Sequence, residues 1–362
     1  MGVFEAVAAG GYEQVLYGYD ARSDLRTIIA IHSTALGPAL GGTRFYPYPS
    51  EDEALFDVLR LARGMTYKAA AAGLDLGGGK AVIIGDPRTQ GPESERLFRA
   101  YGRIVDSLQG RYITAEDVGT TSSDMEMIRR ETRWALGIPV PEGGSGDPSP
   151  ATARGVVGAM RAVAEHLWGS DDLRGRRVAV QGVGKVGSVA ATLLLEAGSE
   201  VVVSDAYAPT ADAVAASLGV KVVQPDEILA VDCDFLAPCA LGAVLNRDTI
   251  PHLACRAIVG SANNQLLDEE DAEAIAGRGI LYAPDFVVNA GGLINVSEEL
   301  RGYAADRALH RVDGIRAATA AILASAEAEG ITPHAAAAVR AERRIKEIGD
   351  LRRFRRSGDD RN

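Results

Sequence analysis

One stretch in the second half of the chain constrains the fold more than any other. The apolar run Val178 to Val180 leads into a glycine-rich turn that opens a helix, and a second apolar run ends at Asp205, 23 residues after Gly182. The turn consists of Gly182, Val183, Gly184, Lys185, Val186 and Gly187. Strand, turn, helix and strand in this order predict a βαβ unit, which belongs to a parallel sheet covered by helices.

The glycine spacing also has a chemical interpretation. The first glycine permits the tight turn, the second lets backbone N–H groups approach a pyrophosphate, and the third lets the helix pack on the strand. Asp205 is predicted to accept hydrogen bonds from the adenosine ribose and to repel a 2′-phosphate, which favours NAD over NADP. From this motif alone, a plain tight turn and an FAD site stay open as alternatives.

The length of 362 residues predicts two domains with a cleft between them. Residues 1–136 alternate strand-like and helical runs, which indicates an α/β domain. The predicted strands are Thr27–His32 and Ala81–Gly85, and the predicted helices are Glu51–Tyr67 and Glu93–Leu108.

Residues 137–152 are dense in Gly, Pro and Ser, which predicts an interdomain loop without helix or strand. Residues 153–330 repeat the α/β alternation around the glycine-rich turn and are predicted to form a Rossmann-type dinucleotide-binding domain. Its further predicted elements are strands at Val231–Ala237, Ala257–Gly260 and Leu281–Ala283 and a long helix at Arg307–Glu329.

Charge and composition exclude several partners. A formal net charge of -11 argues against a nucleic-acid partner, and the basic cluster Arg352, Arg353, Arg355 and Arg356 is interpreted as a solvated chain end. Cys233, Cys239 and Cys255 lack the spacing of a zinc site or a disulfide framework, and the five histidines are scattered singly, so no metal is expected. No signal peptide and no apolar run of membrane-spanning length is visible, which predicts a cytoplasmic protein.

The first domain carries the residues that suit acid–base chemistry. Lys80 follows three consecutive glycines, and a lysine in a desolvated site beside another cation has a pKa lowered towards the range of a general base. Lys68 lies near the end of a predicted helix, and Glu116 and Asp117 end a strand-like run, where α/β proteins place ligand chemistry. Taken singly, both lysines also fit ordinary surface positions.

Several segments together resemble one enzyme family. They include IAIHSTALGPALGGTRFYPY, GMTYKAAAAGLDLGGGKAVIIGDP, GRYITAEDVGTTSSDM, VAVQGVGKVG, DFLAPCALGAVLN, GSANNQL and LYAPDFVVNAGGLINV. The chain resembles the glutamate, leucine, phenylalanine and valine dehydrogenase superfamily over nearly its whole length, and most closely its leucine and valine members. The resemblance implies that residues 1–136 bind substrate and form oligomer contacts, that residues 331–362 return to this domain, and that the protein is a homo-oligomer, from dimer to octamer.

The resemblance also implies roles for individual residues. Lys68 is implied to bind the substrate carboxylate, Lys80 to be the catalytic lysine, and Asp117 to complete the acid–base pair. The remaining implied substrate contacts are Gly41 and Gly42, which lie in a predicted LGGTR turn near the carboxylate, Asn263, and a side-chain pocket lined by Leu40, Ala115, Leu293 and Val296. The remaining implied cofactor contacts are Thr152, Cys239, Ala240, Asn263 and Asn289. The chain departs from the usual leucine-type pattern at Ala69, where an Asn is expected beside Lys68.

The expected reaction is the NAD-dependent oxidative deamination of branched-chain aliphatic amino acids, with phenylalanine or another amino acid of the same family's range as the alternative substrate. Two other functions share the glycine-rich turn. A 2-hydroxy-acid dehydrogenase normally needs a histidine with a carboxylate partner, and no histidine here lies at a glycine-rich turn or a strand end. A nucleotide-sensing regulator without catalysis is disfavoured because Lys68, Lys80 and Asp117 are all present.

Overall fold

The computed structural model describes residues 2–88, 91–240 and 242–352. The chain divides into two compact units. The first takes its described residues from Met1–Gly146, Glu299–Tyr303 and Val339–Asn362, and the second consists of Asp147–Glu298 and Ala304–Ala338. Arg353, Arg355, Arg356 and the side chain of Arg352 lie outside the described residues. Among the described residues, no helix combines the length and apolar character that a membrane crossing requires.

The first unit is built on a five-stranded mixed sheet. Its strands are β1 (Gln14–Asp20), β2 (Leu25–Ser33), β3 (Ala39–Tyr46), β4 (Gly77–Ile84) and β5 (Tyr112–Glu116). The order across the sheet is β1-β2-β4-β3-β5. Strands β4, β3 and β5 run parallel, whereas β2 is antiparallel to both β1 and β4.

Helices cover both faces of this sheet. They are α1 (Val3–Gly10), α2 (Glu51–Ala71), α3 (Pro92–Ser107) and α4 (Ser122–Arg129). Helix α2 begins at a Ser50 cap, whose hydroxyl accepts the N–H of Glu53, and it buries Ala54 and Val58 against Ile28 and Val82. Helices α3 and α4 pack a second core on the opposite face. The alternation along β4 therefore sends Lys80 and Val82 to the α2 face.

Five glycines of this unit lie within strands β3 and β4, which corrects two expectations. Gly77–Gly79 were predicted to precede a strand, and Gly41 and Gly42 to form a turn, yet the first three open β4 and the other two lie in β3. The physical reason is close packing: a Cβ at Gly78 would lie 2.0 Å from the backbone nitrogen of Thr66 on α2. Glycine here allows helix and strand backbones to approach.

The second unit contains a six-stranded sheet. Its strands are β6 (Arg177–Gln181), β7 (Glu200–Ser204), β8 (Lys221–Val222), β9 (Cys233–Pro238), β10 (Cys255–Ile258) and β11 (Leu281–Tyr282). The order is β11-β10-β9-β6-β7-β8, and every pair is parallel. This is the strand order of a dinucleotide-binding fold, with the order reversing between β6 and β9. The predicted α/β class and the parallel second sheet are confirmed.

The second unit carries most of the remaining helices. They are α5 (Ser149–Trp168), α6 (Lys185–Glu196), α7 (Ala208–Leu218), α8 (Asp271–Gly277), α9 (Asp285–Val288), α10 (Gly291–Ser297), α11 (Ala305–Glu329) and α12 (Pro333–Arg352), which passes into the first unit at Val339. The prediction that residues 137–152 exclude helix is wrong, because α5 begins at Ser149. Proline is tolerated in a first helical turn, and the Asp147 carboxylate accepts the N–H of Ser149 at 2.9 Å.

Candidate active site

A buried lysine–carboxylate pair lies on the α2 face of the first sheet. Lys80 extends from β4, and its Nζ lies 3.0 Å from Oδ2 of Asp117, the residue that follows β5; the two side chains are 6% and 16% exposed. The Asp117 N–H donates to Oγ1 of Thr120, which itself donates to the carbonyl of Thr43. These hydrogen bonds hold the turn after β5 against β3 and fix the backbone position from which the Asp117 side chain extends.

The surroundings shift the pKa of both partners. Burial lowers the pKa of Lys80, and the charge of Arg44 lowers it further, whereas Asp117 opposes the shift. Burial alone would raise the pKa of Asp117, but Lys80 and Arg44 outweigh it and hold that pKa below its usual range. The pair therefore combines a carboxylate that stays ionised with an amine that loses its proton more easily than an exposed lysine.

Strand β3, beside this pair, has two glycines without side chains, Gly41 and Gly42. A Cβ at Gly42 would lie 2.8 Å from Cβ of Asp117, and one at Gly41 would lie 1.7 Å from the carbonyl oxygen of Gly79. Any side chain at these positions would push β3 away from its neighbours. The two glycines and the lysine–carboxylate pair are thus brought together in the structure.

The other predicted substrate residues of this unit lie on the same layer. Leu40 pairs with Gly78, and Gly42 pairs with Ala115, so alternation places Leu40 and Ala115 on the α2 face, where both are buried. Lys68 lies half-buried near the end of α2, two residues beyond Thr66, which contacts β4. Ala69 is fully buried.

Sequence reasoning missed an arginine and its partners. The guanidinium of Arg44 donates from Nε to Oδ2 of Asp117 at 3.2 Å and from Nη1 to Oδ2 of Asp57 at 2.8 Å. The Tyr48 hydroxyl donates to the same Asp57 oxygen at 2.5 Å. The available signal was position, since Arg44 lies two residues after Gly42 and therefore on the same face of β3.

The glycine-rich turn of the second unit lies at the point where the strand order reverses. Gly182 follows β6 with φ +88°, and a Cβ there would lie 2.6 Å from that of Ala240, which follows β9. The Cys239 N–H donates to the carbonyl of Gln181 at 2.7 Å. A Cβ at Gly187 would lie 1.9 Å from the carbonyl oxygen of Gly182. Cys239 and Ala240 therefore lie beside the glycine-rich turn.

The N-terminal end of α6 faces open space. A Cβ at Gly184 would have no heavy atom within 4 Å apart from its chain neighbours. Helix α6 has no side-chain cap, and its first N–H to carbonyl bond runs from Ser188 to Gly184. The N–H groups of the first turn, including those of Val186 and Gly187, therefore point out of the helix end, the arrangement that binds a phosphate group.

Asp205 closes the other side of the turn. Its two carboxylate oxygens accept one backbone N–H each, from Val183 at 2.9 Å and from Tyr207 at 2.9 Å. The carboxylate therefore shapes the glycine-rich turn, and each oxygen keeps a lone pair for a further donor. Lys185, the remaining member of the motif, is exposed at the first position of α6.

The remaining predicted site residues of the second unit lie in two places, around Asn289 and where α5 meets α10. Asn289 is buried, and its amide donates to Oδ1 of Asn263 at 3.0 Å and to the carbonyl of Ser261 at 3.1 Å, while its own Oδ1 has no hydrogen-bond partner among the described residues. Thr152 in α5 contacts α10, because a Cβ at Gly292 would lie 2.7 Å from its Oγ1. Leu293 and Val296 lie one turn apart on α10 and are buried.

Comparison with known proteins identifies the family. The profile described as "Glu/Leu/Phe/Val dehydrogenase, dimerisation domain" matches residues 19–134, and that of "Glutamate/Leucine/Phenylalanine/Valine dehydrogenase" matches residues 143–213 and 209–352. Leucine dehydrogenase of Geobacillus stearothermophilus is 50% identical over 352 residues, which cover 97% of this chain and 95% of that protein. Valine dehydrogenase of Streptomyces coelicolor is 52% identical over 341 residues, which cover 93% of each.

A solved structure gives the same result at the level of the fold. The crystal structure of L-tryptophan dehydrogenase from Nostoc punctiforme matches with a TM-score of 0.79 and 45% identity, and the match covers 96% of this chain and 99% of that one. Profiles, sequences and structure agree over nearly the full length, as the quoted segments predict. The chain therefore belongs to the glutamate, leucine, phenylalanine and valine dehydrogenase family, whose members are dinucleotide-dependent amino-acid dehydrogenases.

Proposed function

We propose that this protein catalyses the reversible NAD-dependent oxidative deamination of branched-chain aliphatic L-amino acids, such as leucine and valine, to 2-oxo acids and ammonia. The observation that supports the chemistry most directly is the buried pair of Lys80 and Asp117, 3.0 Å apart beside the glycines of β3. The similarity to leucine and valine dehydrogenases supports the substrate class.

In this mechanism the residues of the first unit hold the substrate and move protons. Lys68 holds the substrate carboxylate as a point charge. Bound NAD supplies a nicotinamide that accepts hydride from the substrate Cα. Lys80, in its neutral form, removes a proton from the water that attacks the substrate imine. Asp117, ionised at the start, takes a proton from the substrate ammonium before the hydride transfer and returns it to the nitrogen of the carbinolamine that water addition forms. The C–N bond then breaks as the carbinolamine hydroxyl gives its proton to Asp117, so that ammonia leaves and the carbon keeps its oxygen as the 2-oxo group.

The second unit fits NAD on three observations. The N-terminal end of α6 is open at Gly184, which leaves room for a pyrophosphate. Asp205 keeps lone pairs for ribose hydroxyls and carries a charge that repels a 2′-phosphate. The buried Oδ1 of Asn289 lacks a hydrogen-bond partner among the described residues, and an amide N–H of a bound ligand would satisfy it. Thr152, Asn263, Cys239 and Ala240 are proposed as further contacts.

Side-chain specificity is proposed to depend on apolar residues. Leu40, Ala115, Leu293 and Val296 are all buried and carry no charge, and by resemblance glutamate-specific members have a lysine at the position of Leu40. Burying the second carboxylate of glutamate without a partner costs several kcal/mol. Leucine, valine and isoleucine differ by single methylene groups worth about 1 kcal/mol each, so they are expected to differ by only tens of fold.

A panel of amino acids tests the substrate class. We expect kcat/KM for leucine and valine to exceed that for glutamate by at least about 100-fold, since a bare buried carboxylate costs several kcal/mol. Phenylalanine and tryptophan are the informative competitors, because the solved relative is a tryptophan dehydrogenase. A preference for glutamate, or for an aromatic amino acid by more than about tenfold, would refute the branched-chain assignment.

We also propose a homo-oligomer that acts in the cytoplasm. The first unit matches a profile described as a dimerisation domain. Cys233, Cys239 and Cys255 are free thiols, which suits a reducing compartment. The mass in solution, measured by light scattering, tests the oligomer.

A further inference from the structure

The guanidinium of Arg44 contacts the proposed catalytic pair of Lys80 and Asp117. Arg44 Nε lies 3.2 Å from Oδ2 of Asp117, the same oxygen that accepts Lys80 Nζ at 3.0 Å. Among the described residues, Oδ1 of Asp117 has no hydrogen-bond partner. One carboxylate oxygen is therefore held by two cations, while the other is available to a ligand.

Arg44 is itself held from the opposite side. Its Nη1 donates to Asp57 of α2 at 2.8 Å, and Asp57 also accepts the hydroxyl of Tyr48. The Arg44 side chain is only 21% exposed, so its planar fork is fixed between two carboxylates. Asp57 and Lys68 are 11 residues apart, which is three helical turns, so the helix that anchors Arg44 also carries Lys68 on the same face.

We propose that Arg44 is a positioning residue, which clamps Oδ2 of Asp117 together with Lys80 and thereby makes Oδ1 the oxygen that exchanges a proton with the substrate nitrogen. In the deamination direction Oδ1 first takes a proton as an N–H bond of the substrate ammonium breaks. This Oδ1–H bond breaks later, when a new N–H bond forms on the carbinolamine nitrogen, and the reverse reaction runs through the same transfers in the opposite order. This inference rests on the proposed deamination. In this proposal, Asp57 and Tyr48 hold Arg44 in the orientation that contacts Asp117.

The charges around the pair determine the sign of the pH effects. The groups that face it are Arg44 from β3, Tyr48 after β3, Asp57 from α2, and Lys80 and Asp117 themselves. Arg44 lowers the pKa of both Lys80 and Asp117, whereas Asp57 raises that of Lys80. The proposed reaction requires neutral Lys80 and begins from ionised Asp117. Activity therefore increases as the pH is raised through the pKa of Asp117 and then through that of Lys80. Removing Arg44 moves this rise to higher pH, and removing the charge of Asp57 moves it to lower pH.

Three variants of the full-length enzyme separate position from charge. Arg44→Lys keeps the charge, but one ammonium cannot form the two-sided clamp, so kcat falls about 10- to 100-fold with little change in the pH profile. Arg44→Met loses kcat to at least the same degree, and the rise of its pH profile moves to higher pH. Asp57→Asn keeps an oxygen for Arg44, so it retains most of kcat while the rise moves to lower pH.

The matched control is Arg103→Met, because Arg103 lies on α3, pairs with Glu131 at 2.9 Å and is 68% exposed. It should leave both kcat and the pH profile at wild-type values. Wild-type kcat in Arg44→Lys overturns the clamp. If Arg44→Met loses stability and activity together while its pH profile stays unchanged, Arg44 has only a structural role, and the clamp proposal is overturned as well.

A measurement that does not depend on turnover tests the role of Arg44 independently of the proposed function. The rate at which Lys80 is acetylated by acetic anhydride, followed by peptide mass spectrometry across pH, reports the pKa of its amine. Arg44→Met should shift this titration to higher pH, and an unchanged titration overturns the electrostatic part of the proposal. A wild-type protein that deaminates no amino acid refutes the proposed function, yet the titration still decides whether Arg44 acts on Lys80.

Discussion

At the scale of single residues, we expect two separable contributions from Asp205. Its oxygens accept the N–H groups of Val183 and Tyr207, and under the proposed function its charge repels a 2′-phosphate. Asp205→Asn removes the charge but keeps one acceptor, so we expect the ratio of kcat/KM for NAD over NADP to fall at least about tenfold, equivalent to about 1.4 kcal/mol. Asp205→Ala should also loosen the turn and raise KM for both cofactors. If the wild-type enzyme uses NADP as well as NAD, the argument from charge is wrong.

The individual residues also show what local sequence can reveal. Lys80 and Asp117 could be singled out because each has a distinctive neighbourhood, a run of glycines and a strand end. Arg44 could not, because its partners are 13 and 73 residues away in the chain and meet only when β3, α2 and β5 pack together. Spacing along one strand predicts which face a side chain takes but not which carboxylate it reaches.

At the scale of elements, the glycines of β4 set the distance between strand and helix. Gly78→Ala would place a Cβ 2.0 Å from the backbone of Thr66, so α2 must shift and carry Lys68 with it. We expect the protein to lose about 1–3 kcal/mol of stability and KM for the amino acid to rise, while NAD affinity is unchanged. Unfolding curves and NADH fluorescence titrations measure these effects.

Gly314→Ala is the matched control for this substitution. Gly314 lies in α11, where a Cβ would meet nothing within 4 Å, so alanine should stabilise the helix by up to about 1 kcal/mol. Equal effects of the two substitutions would contradict the packing argument for Gly78.

Elements with a strong local signal were predictable, and those defined by packing were not. The strand, turn and helix around Gly182 follow from spacing alone, and the structure reproduces them. Strand β3 was missed because its Gly41–Gly42 pair resembles a turn, whereas β4 and β5 on its two sides make it a strand. The start of α5 was missed because glycines, prolines and serines surround it, although the carboxylate of Asp147 stabilises that end.

At the scale of the whole molecule, the proposed acid–base residues belong to the first unit and the proposed dinucleotide site belongs to the second. The family comparisons support this combination over nearly the full chain. The two competing functions predict other products: a 2-hydroxy-acid dehydrogenase forms NADH from a 2-hydroxy acid but neither NADH nor ammonia from an amino acid, and a nucleotide-sensing regulator forms no product from either.

The most direct test therefore measures NADH and ammonia together, for the wild-type enzyme and for Lys80→Ala with L-leucine and NAD. The account predicts equal amounts of both products from the wild type. In Lys80→Ala we expect turnover lower by about 10²–10⁴-fold, with NAD affinity nearly intact because the residues of the proposed cofactor site belong to the second unit. A wild-type protein that forms neither product from L-leucine, or wild-type turnover in Lys80→Ala, would contradict the proposed function.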